Sequence, residues 1–355
     1  MTGRRPAIAR SAALLAATVF AVWLGYWLGP GDRSLYTLMG LYAIVAIGLS
    51  LLMGFAGQIS LGHGAFYAIG AYTAGILTVG LDPDDRLIDP EAGIDPALAV
   101  IAAPLVTGVV AALIGVPLLR LRGHYLAFAT LALNLILLAA LYAQSGFTGG
   151  DDPGLSVVEP LEVFGWRISD VTGGTPRHAA VTWVLVLVTL LVASNLVGSR
   201  AGRALREIAS SERGAAAAGI HVSAYKLRVF VLSAGLAGLA GALYVFLFGF
   251  LSPEAFGVIL SFQFVVMVAV GGPGSIYGAV VGAVAITWLE YELSDLGTRP
   301  SLLGVDVPDQ APQVFSLGVF AVILIVVMLF FPRGLVPALG HALRRLTPSR
   351  RAAES

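Results

Sequence analysis

Ten apolar runs, most of them about as long as a helix needs to cross a lipid bilayer, take up the greater part of this 355-residue chain. They cover 11–29, 35–53, 61–80, 97–119, 124–143, 179–197, 229–250, 258–270, 275–292 and 314–331. A helix needs about 20 apolar residues to span the hydrocarbon core. In lipid every backbone polar group needs an internal partner, and a helix supplies one. The expected fold class is therefore an all-α integral membrane protein of about ten transmembrane helices. Composition agrees. The chain is 57% hydrophobic and 12% charged, where soluble domains carry about 25% charge.

The distribution of positive charge orients these spans. With the N-terminus inside, 16 of the 21 Lys and Arg residues fall on the cytoplasmic side, as the positive-inside rule requires. The eighth run is short, and GGPG at Gly271–Gly274 divides it from the ninth. Glycine and proline in that density end a helix. Merging the two runs would move five C-terminal arginines to the outside, so ten spans with both termini cytoplasmic is the better count. The first run follows Arg4, Arg5 and Arg10 and is 19 residues long. It exceeds the 7–15 apolar residues of a signal peptide and reads as an uncleaved first span. One membrane domain, 1–340, with a cytoplasmic tail, 341–355, is expected.

Ser199–Arg228 breaks the apolar pattern between spans six and seven. Leu205, Ile208 and Ala209 recur at helical spacing and give one narrow apolar face. Arg203 and Glu207 stand at i, i+4 and are expected to pair. Ser210 or Ser211 can cap a second short helix, Glu212 suits its positive end, and Gly219 suits the position just past its end. Two short helices along the membrane face are expected. A basic loop that only sets topology is the alternative. The small-residue run Glu212–Ala218 argues for close contact with a partner, because an anchoring helix would carry larger apolar groups.

Three further stretches carry polar groups. Gly54–Gly75 combines six glycines with Gln58, Ser60 and His63. Interrupted helices of this kind line substrate routes, and close helix packing with His63 at an interface is the other reading. In Arg120–Asn134, Asn134 lies mid-span and needs a polar partner away from lipid, more readily another helix than a substrate. TGGDDPGL at 148–155 pairs two acids, but Ca²⁺ needs six or more oxygen ligands and the chain offers no such set. A structured external turn is expected there, and no metal site. The outside segment 82–96 is acidic.

Absences narrow the function. Cysteine is missing, which excludes disulfides and thiol chemistry. No P-loop, H-E-x-x-H or G-x-S-x-G occurs, so no catalytic residue is assigned and an enzyme is not expected. A neutral charge balance does not point to nucleic acid. Charges within the spans are nearly absent, and only Glu290 and Glu292 come close, at the outer end of span nine. Ion-coupled carriers keep buried ionisable groups. An active transporter of this composition would take its energy from another subunit.

In order and spacing, GQISLGHGAFYAIGAY (57–72), GHYLAFATLALN (123–134), TGG (148–150), the segment 202–244, GGPGSIYGAVVGA (271–283) and FPRGL (331–335) resemble the permeases of branched-chain amino-acid ABC importers, LivM-type. The resemblance covers about Gly40–Leu335. It implies a fold similar to the vitamin B12 and iron-chelate importer permeases, with cytoplasmic coupling helices between spans six and seven. It implies a bacterial inner-membrane protein surrounded by lipid and paired with a second related permease chain. Two cytoplasmic ATPase subunits consume the ATP, this chain binds no cofactor, and an external binding protein delivers the substrate. On this resemblance Arg203, Arg206, Glu207, Glu212, Ala215 and Gly219 would contact the ATPase. Gln58, Ser60, Phe128, Thr130 and Asn134 would line the path. Ala216 stands where relatives often carry a second acid. Urea, amides or other small polar solutes are the alternative substrates, and an ATP-independent channel is the alternative class.

Overall fold

The computed structural model describes residues 4–80, 93–121, 123–144, 154–157, 159–163, 165–170, 174–297, 301–302 and 305–306, with single positions at 321, 322, 325, 329 and 334. Most of the acidic segment 82–96, the TGGDD of 148–152 and the tail 341–355 lie outside the described residues, as do Arg122 and all of FPRGL except Gly334.

The helices are α1 (Arg4–Trp27), α2 (Pro30–Ser50), α3 (His63–Val79), α4 (Pro96–Leu118), α5 (His124–Ala143), α6 (Pro176–Gly198), α7 (Arg200–Ser210), α8 (Glu212–Ala217), α9 (Val222–Phe248), α10 (Val258–Gly271) and α11 (Ile276–Gly297). A π turn, Leu51–Phe55, extends α2. Among the described residues seven spans, including α2 with its π turn, α4, α5, α6 and α9, are long and apolar enough to cross a membrane. This makes the chain a multi-pass membrane protein. At 17 residues α3 is shorter. Of the tenth run, four described positions, Ala321, Val322, Ile325 and Leu329, are helical, and the remainder lies outside the described residues.

Helix ends follow local chemistry. Proline opens α2, α4 and α6 at Pro30, Pro96 and Pro176, where its missing N–H costs nothing. The Asp95 carboxylate accepts from Ala97 N at 2.8 Å and Thr175 Oγ1 accepts from His178 N at 3.1 Å. The GGPG turn does separate α10 from α11, with Gly272 at φ +111° and Gly274 at φ +85°.

At the centre, α9 packs on α3, α4 and α2, while α2 also meets α11 and α6. Glycine permits this closeness. A Cβ on Gly70 of α3 would overlap the carbonyl of Gly238 in α9, and one on Gly241 would overlap the Tyr67 carbonyl. Small residues at such crossings let backbones approach closely, and the resulting packing contributes to helix association in lipid. An aromatic group fills the space beside them, with Tyr42 edge-on to Phe264 at 5.2 Å and Tyr67 edge-on to Tyr244 at 5.5 Å.

The all-α expectation needs one correction of detail. Among the described residues three two-residue ladders occur: β1 (Leu155–Ser156) with β4 (Phe250–Leu251), β2 (Glu162–Val163) with β3 (Trp166–Arg167), and β5 (Ser301–Leu302) with β6 (Val305–Asp306). Two-residue pairings carry too little periodicity to be seen in sequence. Because α9 leads from α8 to β4, the β1–β4 ladder lies at the end of the bundle opposite α7–α8.

Candidate coupling platform and helix break

The segment between α6 and α9 folds as two capped helices. Ser199 Oγ accepts from Ala201 N at 3.1 Å and starts α7. Ser211, the second of the two candidate serines, accepts from Gly214 N at 3.1 Å and starts α8. Gly219 at φ +81° turns the chain out, and Ile220 N returns to the Ala215 carbonyl at 3.0 Å. That left-handed position suits glycine because it lacks a Cβ.

The faces of α7 divide cleanly. Ala204, Leu205 and Ile208 are buried, while Arg203, Arg206 and Glu207 are exposed. The expected Arg203–Glu207 pair is not formed among the described ion pairs. Both groups stand in solvent, and Arg before Glu is the weaker orientation on a helix. On α8, Ala215 is 3% exposed and turns inward, whereas Ala216, Ala217, Ala218 and Gly219 are exposed. Glu212 also turns inward and accepts from Lys226 Nζ of α9, the one lysine in the chain. Of the six residues predicted to meet a partner, Arg203, Arg206, Glu207 and Gly219 are on the surface; Ala215 and Glu212 tie α8 to the bundle.

The second feature is the break between α2 and α3. Ala56 N reaches back to the Leu51 carbonyl at 3.2 Å, closing the π turn. Gly57 follows at φ +65°. A Cβ there would stand 3.4 Å from Cα of Ala209, so α7 lies directly against the break. The Gln58 side chain is 3% exposed, and neither amide atom has a hydrogen-bond partner among the described residues.

Polar side chains from four helices hold the start of α3. Ser60 Oγ lies 3.1 Å from His63 Nδ1, and His63 Nε2 lies 2.7 Å from Ser233 Oγ of α9. Leu61 N donates to Thr130 Oγ1 of α5 at 2.9 Å. Gly64 N at 2.9 Å and Asn134 Nδ2 at 3.1 Å both donate to Ser261 Oγ of α10. Buried polar groups need such partners, and a closed network fixes one arrangement of the helices.

Ser60, Thr130 and Asn134 are thus brought together. Phe128 is not: it lies on the other face of α5 and is 64% exposed. His63 sits at a helix interface with no exposure. Sequence reasoning missed Ser233 and Ser261. Their signal was a hydroxyl inside an otherwise apolar span, which a helix can hide by bonding its own backbone. Among the described residues no cluster of three His, Asp or Glu side chains could hold a metal.

Known proteins resemble this chain over nearly all its length. It is 29% identical over 343 residues to the high-affinity branched-chain amino acid transport system permease protein LivM of Salmonella typhimurium, covering 91% of this chain and 74% of that one. It is 26% identical over 308 residues to the LivH permease protein of Escherichia coli K12, covering 84% and 92%. The ribose import permease protein RbsC of Escherichia coli K12 is 29% identical over 264 residues, covering 72% and 75%. No solved structure matches. Residues 33–331 match the family described as the branched-chain amino acid transport system permease component, and the chain belongs to that family of membrane permeases.

Proposed function

We propose that this chain is one permease subunit of an ATP-binding-cassette importer for branched-chain or related hydrophobic amino acids. It spans a bacterial inner membrane ten times with both termini in the cytoplasm, in a fold like that of the vitamin B12 importer permeases. Residues 1–340 form one membrane domain and 341–355 a cytoplasmic tail. A second related permease chain completes the path, and an external binding protein delivers the substrate. Separate cytoplasmic ATPase subunits supply the energy, and this chain holds no cofactor.

The observation that carries this reading is the contact between α7 and the helix break. The exposed face of α7–α8 offers Arg203, Arg206, Glu207 and the small-residue turn ending at Gly219 to a partner. Near the end of α7, Ala209, itself exposed, stands against Gly57. A push on the platform therefore reaches the start of α3 directly, where Ser60, His63, Thr130 and Asn134 hold the helix ends. Closure of the ATPase pair moves α7–α8, the break re-forms, and the path changes the side on which it opens. Gln58, Ser60, Thr130 and Asn134 lie nearest that moving point, and Phe128 faces outward from α5.

Gly219→Trp tests the coupling. The variant should insert at the wild-type level and lose leucine uptake. Normal uptake would contradict the assignment of the platform. A second substrate reading, a sugar such as ribose, draws on the likeness to the ribose permease, and competition of leucine uptake by excess ribose separates the two.

A further inference from the structure

Between α2, α5, α10 and α11, toward the end of the bundle opposite α8, lies a cavity of about 530 Å³. One wall carries Glu290 of α11 beside Gln263 of α10, whose Nε2 donates to Glu290 Oε1. Tyr42 reaches the cavity from α2, Leu138 from α5, and Ile259 from α10. Among the described residues no lysine or arginine lines it. An acid inside a membrane-crossing helix is costly and persists where it faces a partner, a water-filled cavity or a solute. A carboxylate has about four acceptor sites, and a single amide leaves most of them open.

Helix α5 contributes to both the cavity and the polar network at the break. Thr130, Asn134 and Leu138 recur every fourth residue, so they form one stripe along α5.

We propose that this cavity is the outer substrate subsite, with the substrate's ammonium group on Glu290 and its aliphatic side chain among Tyr42, Leu138 and Ile259. The volume falls within the range of small-molecule sites. Glu254 also lines the cavity, and two carboxylates with no facing cation among the described residues favour an ammonium over an anion. The substrate's own carboxylate turns to the mouth, in water. This inference rests on the amino-acid import reading above.

The test uses the whole transporter in proteoliposomes, with both permeases, the ATPases and the binding protein. Glu290→Gln should lower the leucine uptake rate at least tenfold while ATP hydrolysis continues, and Glu290→Asp should restore most of it. Leu138→Trp, which fills the cavity, should do the same as Glu290→Gln. A third variant puts a reporter in the cavity wall: Ile259→Cys introduces a lone thiol into a cysteine-free chain at a position that is 65% exposed. Leucine should slow its reaction with a small thiol reagent, and 4-methylpentanoate, which lacks the ammonium, should not. Uptake within twofold of wild type in both Glu290→Gln and Leu138→Trp, or no protection by leucine at Ile259→Cys, would overturn the subsite. Failure of the wild-type transporter to move any branched-chain amino acid would instead overturn the import reading.

Discussion

Lys226 of α9 donates to Glu212, the first residue of α8, and so fastens the second platform helix to the longest helix of the bundle. Two turns further along the same face of α9, Ser233 lies 2.7 Å from His63 Nε2 at the start of α3. One rigid helix thus joins the platform to the helix break, alongside the direct contact of Ala209 with Gly57.

Removing the lysine should loosen that joint. The Lys226 side chain is 8% exposed and Glu212 36%, so removing the lysine takes the cation away from a partly buried carboxylate. Lys226→Met is expected to cost about 1–3 kcal/mol, read as a lower unfolding temperature in detergent. Hydrolysis by the docked ATPases should persist while its stimulation by loaded binding protein falls. Stimulation at the wild-type level would show that α9 carries none of the signal.

Gly57→Val probes the direct contact. A β-branched residue at φ +65° is strained by about 1–3 kcal/mol, and its side chain would press on Ala209 of α7. Uptake should fall at least tenfold with the permease still inserted. Gly31→Ala is the control, because a Cβ there meets nothing within 4 Å. Equal uptake by the two variants would contradict the role of the break.

The crossing of α3 and α9 gives a stability prediction. A Cβ on Gly70 would overlap the Gly238 carbonyl, and overpacked sites cost about 1–3 kcal/mol or more. Gly70→Ala should lower the unfolding midpoint of the purified permease clearly, again against Gly31→Ala. A shift no larger than that of the control would mean the two backbones are farther apart than described.

Much of this was legible in the chain, for identifiable reasons. The bounds of α5, 124–143, can be read because Gly123 precedes its apolar run and Gln144 follows it. The platform was legible from Ser211 and Gly219, whose chemistry is local. The start of α9 was not. Val222–Arg228 is polar in pattern, and a helix continuing beyond the lipid carries no hydrophobic signal there. The π turn after α2 was hidden because Gly54 and Gly57 read as helix breakers, and the turn is held by the tertiary contact of Gly54 with Gly274. Glu290 stands out in the chain as a rare acid near a span, but its meeting with Gln263 depends on how α10 packs on α11, which no local pattern encodes. The Arg203–Glu207 spacing promised an ion pair that solvent dissolves.

The central claim is that α7–α8 is the surface on which the ATPase docks, and a cysteine-free chain allows a direct measurement. Ala217→Cys places one thiol on the exposed side of α8. In membranes holding the assembled transporter, a short bifunctional reagent with one thiol-reactive and one amine-reactive end should join this position to an ATPase subunit. ATP should change the yield, and Ala193→Cys, buried in α6, should give no product. Cross-linking of Ala217→Cys to lipid-facing or external proteins, with none to the ATPase, would contradict the account.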